Sequence, residues 1–213
     1  MNTFDLIIIG TGSGNTIITP EFDALDIAIV EKGTFGGTCL NRGCIPSKML
    51  VYVADVLSEI SRSNELGIAV DRVSVDWAAI QKRIFGRIDP IANAGEAYRN
   101  SLPNVSVING LASFISKHQL RVGEDVIEGD QIVIATGASP VLPDIEGLSD
   151  VKYYTSDTIM RIAELPNRLV VIGGGYIATE LSHVFSALNC EVVMLVRGNT
   201  LLGNEDMAIQ ARF

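Results

Sequence analysis

The chain has 213 residues, 47% of them hydrophobic and 19% charged, and 16 basic against 25 acidic side chains give it a formal charge of -9. This composition excludes a disordered chain, and the negative balance with a pI near 4.7 excludes broad electrostatic attraction to nucleic acid or an anionic membrane. The 3 cysteines do not make a secreted disulfide scaffold, and no apolar run approaches the roughly 18 residues of a bilayer span.

In chain order, the first element is a strand over Leu6-Ile7-Ile8-Ile9, an apolar, largely β-branched run suited to burial on both faces of a parallel sheet. It sits behind Asp5 without a basic flank or a small-residue cleavage site, so it does not read as a signal peptide, and cytoplasm is the expected compartment. Gly10-Thr11-Gly12-Ser13-Gly14-Asn15 follows directly. Glycine there permits a tight turn and lets a pyrophosphate approach the backbone and the N-terminus of the next helix. Pro20 limits that helix to about Asn15–Thr19. A second buried strand, Ile27–Val30, ends at Glu31, whose carboxylate stands where ribose hydroxyls of a dinucleotide are bound. Asn15 occupies the place of the usual third glycine and is expected to hold helix and strand further apart.

Cys39-Leu40-Asn41-Arg42-Gly43-Cys44 comes next. A disulfide at this spacing requires a tight or distorted turn, which Gly43 can supply, and such a strained pair would be easily reduced. Spacing alone also allows a structural disulfide or half of a metal site. The remaining Cys190, His118 and His183 form no second close pair for a metal, and no metal site is expected. Helices are predicted over 50–62 and 75–100, and a β-rich stretch over 104–134. Thr136-Gly137-Ala138-Ser139-Pro140 marks a break and the expected domain boundary, 1–140 against 141–213. The opening pattern then recurs as a strand Leu169–Ile172, the loop Gly173-Gly174-Gly175 with Ala178 at the third small position, a helix to about Leu188 and a strand Glu191–Val196. Past that strand stands Arg197, where an acid would repel a 2′-phosphate and an arginine pairs with it, favouring NADP over NAD. Two strands and one helix do not cover both faces of a parallel sheet, so the chain is expected to be a fragment that is inactive alone. His118 and His183 read as structural or surface residues, and Cys190 as an inert small apolar residue.

Gly36-Gly37-Thr38-Cys39-Leu40-Asn41-Arg42-Gly43-Cys44-Ile45-Pro46-Ser47-Lys48 resembles the active-site signature of the class I pyridine nucleotide–disulfide oxidoreductases. The resemblance extends through Gly10–Asn15, Ala135-Thr136-Gly137 and Gly173–Glu180. It implies an α/β fold: a Rossmann-like FAD-binding domain, then the start of a Rossmann-like NAD(P)H-binding domain. It also implies an enzyme carrying electrons from NADPH through FAD to a low-molecular-weight disulfide. In that likeness Cys39 attacks the substrate disulfide and Cys44 is the thiolate against the flavin. Lys48 sits near flavin N5 and pairs with Glu180, and Tyr176 covers the nicotinamide pocket. Gly10, Gly12, Gly14, Asn15, Glu31, Gly37, Thr38, Thr136 and Gly137 serve FAD, while Gly173, Gly175, Ala178 and Arg197 serve the nicotinamide dinucleotide. The family's catalytic His–Glu pair belongs to a C-terminal domain that forms a homodimer, and neither His118 nor His183 matches it. On spacing alone, a nucleotide-binding module whose cysteine pair only senses redox state stays open.

Overall fold

The computed structural model describes residues 2–213. The run Leu6–Ile9 is the end of β1 (Asn2–Ile9). With β2 (Ile27–Glu31), β3 (Val105–Asn109), β4 (Ala112–Phe114), β5 (Gln119–Val122) and β6 (Asp125–Ile134) it forms a sheet ordered β3-β2-β1-β6-β5-β4. β3, β2, β1 and β6 are parallel, with Ile7 opposite Ala28 on one side and Ile132 on the other. β4, β5 and the start of β6 pair antiparallel. Alternation along the strands divides the apolar side chains between two faces. Ile7, Ala28, Val30, Leu120 and Ile127 pack on one, and Leu6, Ile8, Ile27, Ile29 and Phe35 on the other. Ile7, Ile8, Ala28 and Ile29 are fully buried, as the unbroken apolar runs require.

The connection from β1 to β2 contains only two short 3-10 turns, Ser13–Ile17 and Pro20–Phe22, because Pro20 stops a longer helix. Two helices follow β2: α1 (Gly37–Arg42) and α2 (Cys44–Arg62). α2 begins six residues before the predicted start at 50, and Pro46 is tolerated in its first turn, where no helical N–H is needed. α3 (Trp77–Ser101) matches the predicted helix within two residues and carries Pro90 inside it.

The second α/β pattern forms as read. β7 (Arg168–Ile172) and β8 (Glu191–Leu195) are parallel and joined by α4 (Tyr176–Ala187), and α5 (Met207–Gln210) follows. Leu181, Val184, Phe185 and Leu188 fall at helical spacing and are buried, whereas Val170 and Ile172, on one face of β7, stay half exposed. Trp77 packs its ring 6.2 Å from that of Phe185 and donates its Nε1–H to Ile162 O at 2.8 Å.

The chain divides into two compact units, and the division does not follow the boundary expected at 140. The stretch up to Cys44 groups with Gly86–Tyr153, and Ile45–Phe85 groups with Tyr154–Phe213. Among the described residues no helix is long and apolar enough to cross a membrane.

Candidate functional site

The parallel strands of the first unit end together, and their following loops converge. Gly10 takes φ 110°, a left-handed value open to glycine, donates to Val30 O at 2.8 Å, and a Cβ there would overlap the Ala135 carbonyl oxygen. A Cβ on Gly14 would overlap the Ala135 side chain. Close packing therefore falls on Gly14, and Asn15 does not hold the loop away from the neighbouring strand end. Asn15 is buried, its backbone oxygen accepts from Arg99 Nη2 at 2.9 Å, and its Oδ1 has no partner among the described residues. Thr136 and Gly137 follow Ala135 on the exposed side of the same junction.

Glu31 ends β2 at this edge. Its Oε2 accepts from Thr11 N at 3.1 Å and from Thr11 Oγ1 at 2.5 Å, and its Oε1 accepts from Gly33 N at 2.9 Å. The residues fit a dinucleotide. They offer a glycine cradle that side chains would fill, a carboxylate with acceptor capacity left for a ribose hydroxyl, and a buried Asn15 oxygen that needs a donor.

The cysteine segment starts on this loop. Gly36 and Gly37 take φ 106° and 68° and turn the chain into α1; a Cβ on Gly37 would come 2.5 Å from Gly12 Cα. Asn41 is buried and fixes the turn, its Nδ2 donating to Phe35 O at 2.9 Å and Gly37 O at 3.0 Å. Cys39 lies in α1 and Cys44 is the first residue of α2, both exposed. Gly43 separates the helices at φ -137° and ψ -119°. It contributes room rather than left-handedness, since a Cβ there would stand 3.0 Å from Thr38 O. Thr38 is exposed beside Cys39.

In the second unit Gly173 takes φ 128° and donates to Leu195 O at 2.9 Å, so β7 hands the chain to a loop at the carboxyl edge of the β7–β8 pair. Gly175 caps α4 without a side-chain bond, leaving the helix N-terminus open to a phosphate. Packing demands a glycine at 174, where a Cβ would stand 2.8 Å from Val196; Ala178 lies 3.9 Å from the Cβ position of Gly173. Tyr176 opens α4 exposed, and Arg197, also exposed, lies just beyond β8 on the same edge as Gly173. Lys48 of α2 pairs with Glu180 of α4, and this hydrogen bond and charge raise the Lys48 pKa above its ordinary 10.5.

Each histidine has a protein partner. His118 Nδ1 lies 3.1 Å from Gly129 O, and His183 Nε2 lies 3.0 Å from Asp55 Oδ1. Cys190 is buried, which pushes its thiol up. Among the described residues no cluster of His, Cys, Asp or Glu is arranged for a metal. Sequence reading missed Thr11, Asn41, Ala135 and Gly174. Of these only Gly174 carried a signal, the unbroken run of three glycines, because the roles of the others depend on which atoms the fold brings beside them, which pattern does not reveal.

The model of the pyridine nucleotide-disulphide oxidoreductase family matches residues 4–213, and the chain belongs to this family of flavoproteins, which use FAD and a nicotinamide cofactor. The chain is 47% identical over 220 residues to mycothione reductase of Mycobacterium tuberculosis (strain ATCC 25618 / H37Rv), covering 100% of this chain and 48% of that protein. It is 35% identical over 211 residues to mercuric reductase of Bacillus cereus, covering 97% of this chain and 33% of the relative. Among solved structures it superposes on the Cu(II) complex of the HOCl-induced flavoprotein disulfide reductase RclA from Escherichia coli. The TM-score is 0.85 at 32% identity, over 99% of this chain and 46% of that one. The fold is thus Rossmann-like α/β with a parallel-dominated sheet, and the chain spans about half the length of the mycothione reductase it matches.

Proposed function

We propose that the protein carrying this chain is an NADPH-dependent disulfide reductase whose substrate is a low-molecular-weight disulfide, mycothione in particular. The observation that carries the reading is the seat of the cysteine pair: the turn leading into Cys39 lies on Gly12 of the dinucleotide loop. Residues 1–140 hold FAD and 141–213 begin the NAD(P)H site. Gly10, Gly12 and Gly14 admit the pyrophosphate, Glu31 takes the adenosine ribose, and Gly37, Thr38, Thr136 and Gly137 line the rest. Gly173, Gly175 and Ala178 admit the second dinucleotide, Tyr176 shields the nicotinamide, and Arg197 pairs with the 2′-phosphate. When bound, the flavin supplies the two-electron chemistry linking nicotinamide to disulfide.

The chain's own part is thiol–disulfide exchange. Cys39 Sγ, as thiolate, attacks one sulfur of the substrate; the S–S bond breaks and one half leaves as a thiol after taking a proton. Cys44 Sγ then attacks Cys39 of the mixed disulfide, the second thiol leaves, and Cys39–Cys44 is again a disulfide. Cys44 opens a 19-residue helix, and the positive end of the helix dipole suits a negatively charged sulfur. Lys48, held by Glu180, keeps a positive charge one turn further along α2. Identity to mycothione reductase supports mycothione as the substrate. A homodimer completed by a further domain, acting in the cytoplasm, belongs to the same reading.

Dithionite titration of the whole protein tests it. Reversible two-electron reduction with a long-wavelength charge-transfer band is expected. Cys44→Ser should abolish the band; Cys39→Ser should keep it and lose turnover. Normal turnover in both variants would refute the role of the pair, and absence of the charge-transfer band in the wild type would leave a redox-sensing module. Parallel assays of mycothione, glutathione disulfide and lipoamide decide the substrate, and preference for lipoamide with NAD would overturn that part.

A further inference from the structure

We infer that Thr11 is a positioning residue that aims Glu31 at the adenosine ribose and ties that site to the turn carrying the redox helix. The inference rests on the FAD reading above and extends it to a side chain that reading leaves unused.

Thr11 is buried at 3% exposure between Gly10 and Gly12. Its Oγ1 accepts from Gly36 N at 3.0 Å and donates to Glu31 Oε2 at 2.5 Å. The direction of this chain is fixed. An N–H only donates and a carboxylate only accepts, so the single hydroxyl proton lies toward Glu31. Each bond polarises the next, and burial limits competition from water. The carboxylate has about four acceptor sites. Two on Oε2 are taken by Thr11 N and Oγ1, and one on Oε1 by Gly33 N. The remaining acceptor site is on Oε1, so Thr11 determines which oxygen meets a ribose hydroxyl. The same hydroxyl holds Gly36, next to Gly37, whose backbone lies on Gly12. The ribose acid and the start of α1 therefore share one side chain.

The test uses the whole apoprotein with two ligands, FAD and an FAD analogue carrying 2′,3′-dideoxyadenosine. Losing the charge-assisted bond in Thr11→Val should weaken FAD binding about tenfold, while the dideoxy analogue stays within about twofold. Thr11→Ser keeps both hydrogen bonds and should keep the FAD-over-analogue ratio, and Thr11→Val in a Glu31→Gln background should add almost nothing. Equal weakening of both ligands means a packing role and overturns the proposal, as does unchanged FAD affinity. Should Thr11→Val not fold, the Ser variant carries the test: loss of its ratio overturns the proposal. A Glu31→Gln protein that discriminates like wild type overturns it while leaving FAD binding intact. A wild-type protein that binds no FAD removes this inference and the FAD reading together.

Discussion

Gly14 and Ala135 meet so closely that only one of them has room for a Cβ. Gly14→Ala should destabilise the protein by roughly 1–3 kcal/mol, the usual cost of overpacking. Without the Ala135 methyl, the next atom stands 3.6 Å away, an ordinary contact. The double variant Gly14→Ala/Ala135→Gly should therefore recover most of the loss. Thermal melts of the two variants check it, and a double variant no better than the single would place the strain elsewhere. At this scale the sequence was legible where a residue type has one use. The paired cysteines, the acid ending β2 and the glycines of the first loop stand out by type and spacing, and the fold brings the glycine loop against Glu31 and Gly37. Thr11 and Asn41 do not stand out, because threonine and asparagine serve any turn and their role depends on which N–H or carbonyl the fold brings near.

Elements were legible in proportion to their periodicity. The unbroken runs of β1 and β2 and the helical spacing in α4 identified themselves. The start of α2 did not: the predicted helix begins at 50, yet α2 begins at Cys44 and its first turn accepts Pro46. α2 and α4 are joined by Lys48–Glu180, and this link has a pH signature. Lys48 titrates higher in the folded state than its ordinary 10.5, so the contribution is fully present below that value and is lost as pH rises through the folded one. Denaturant melts between about pH 9 and 12 should show stability falling more steeply in wild type than in Lys48→Met. Equal slopes would mean the pair adds nothing to folding. The effect is small, since Lys48 is largely exposed and solvent screens it.

At the scale of the whole molecule, nucleotide preference is the property to measure, because the proposed reading needs the whole protein. In the proposed reading Arg197 pairs with a 2′-phosphate, and such a charge-assisted contact contributes about 1.5–3 kcal/mol. Arg197→Glu should raise the KM for NADPH and narrow its advantage over NADH; an unchanged ratio would mean that Arg197 faces solvent. The two repeats of strand and glycine loop were legible in the sequence, but the grouping of Ile45–Phe85 with Tyr154–Phe213 was not, since helical spacing names no partner. The register of the first sheet also bears on how the protein is made. Ile9 pairs with Ile134, so one side of β1 has no neighbour until the ribosome has added 125 further residues. At about 5–20 residues per second, synthesis leaves that side open for roughly 6–25 s. During translation Leu6–Ile9 is thus a sticky nascent segment, and a holdase chaperone that recognises short apolar stretches has its longest opportunity there.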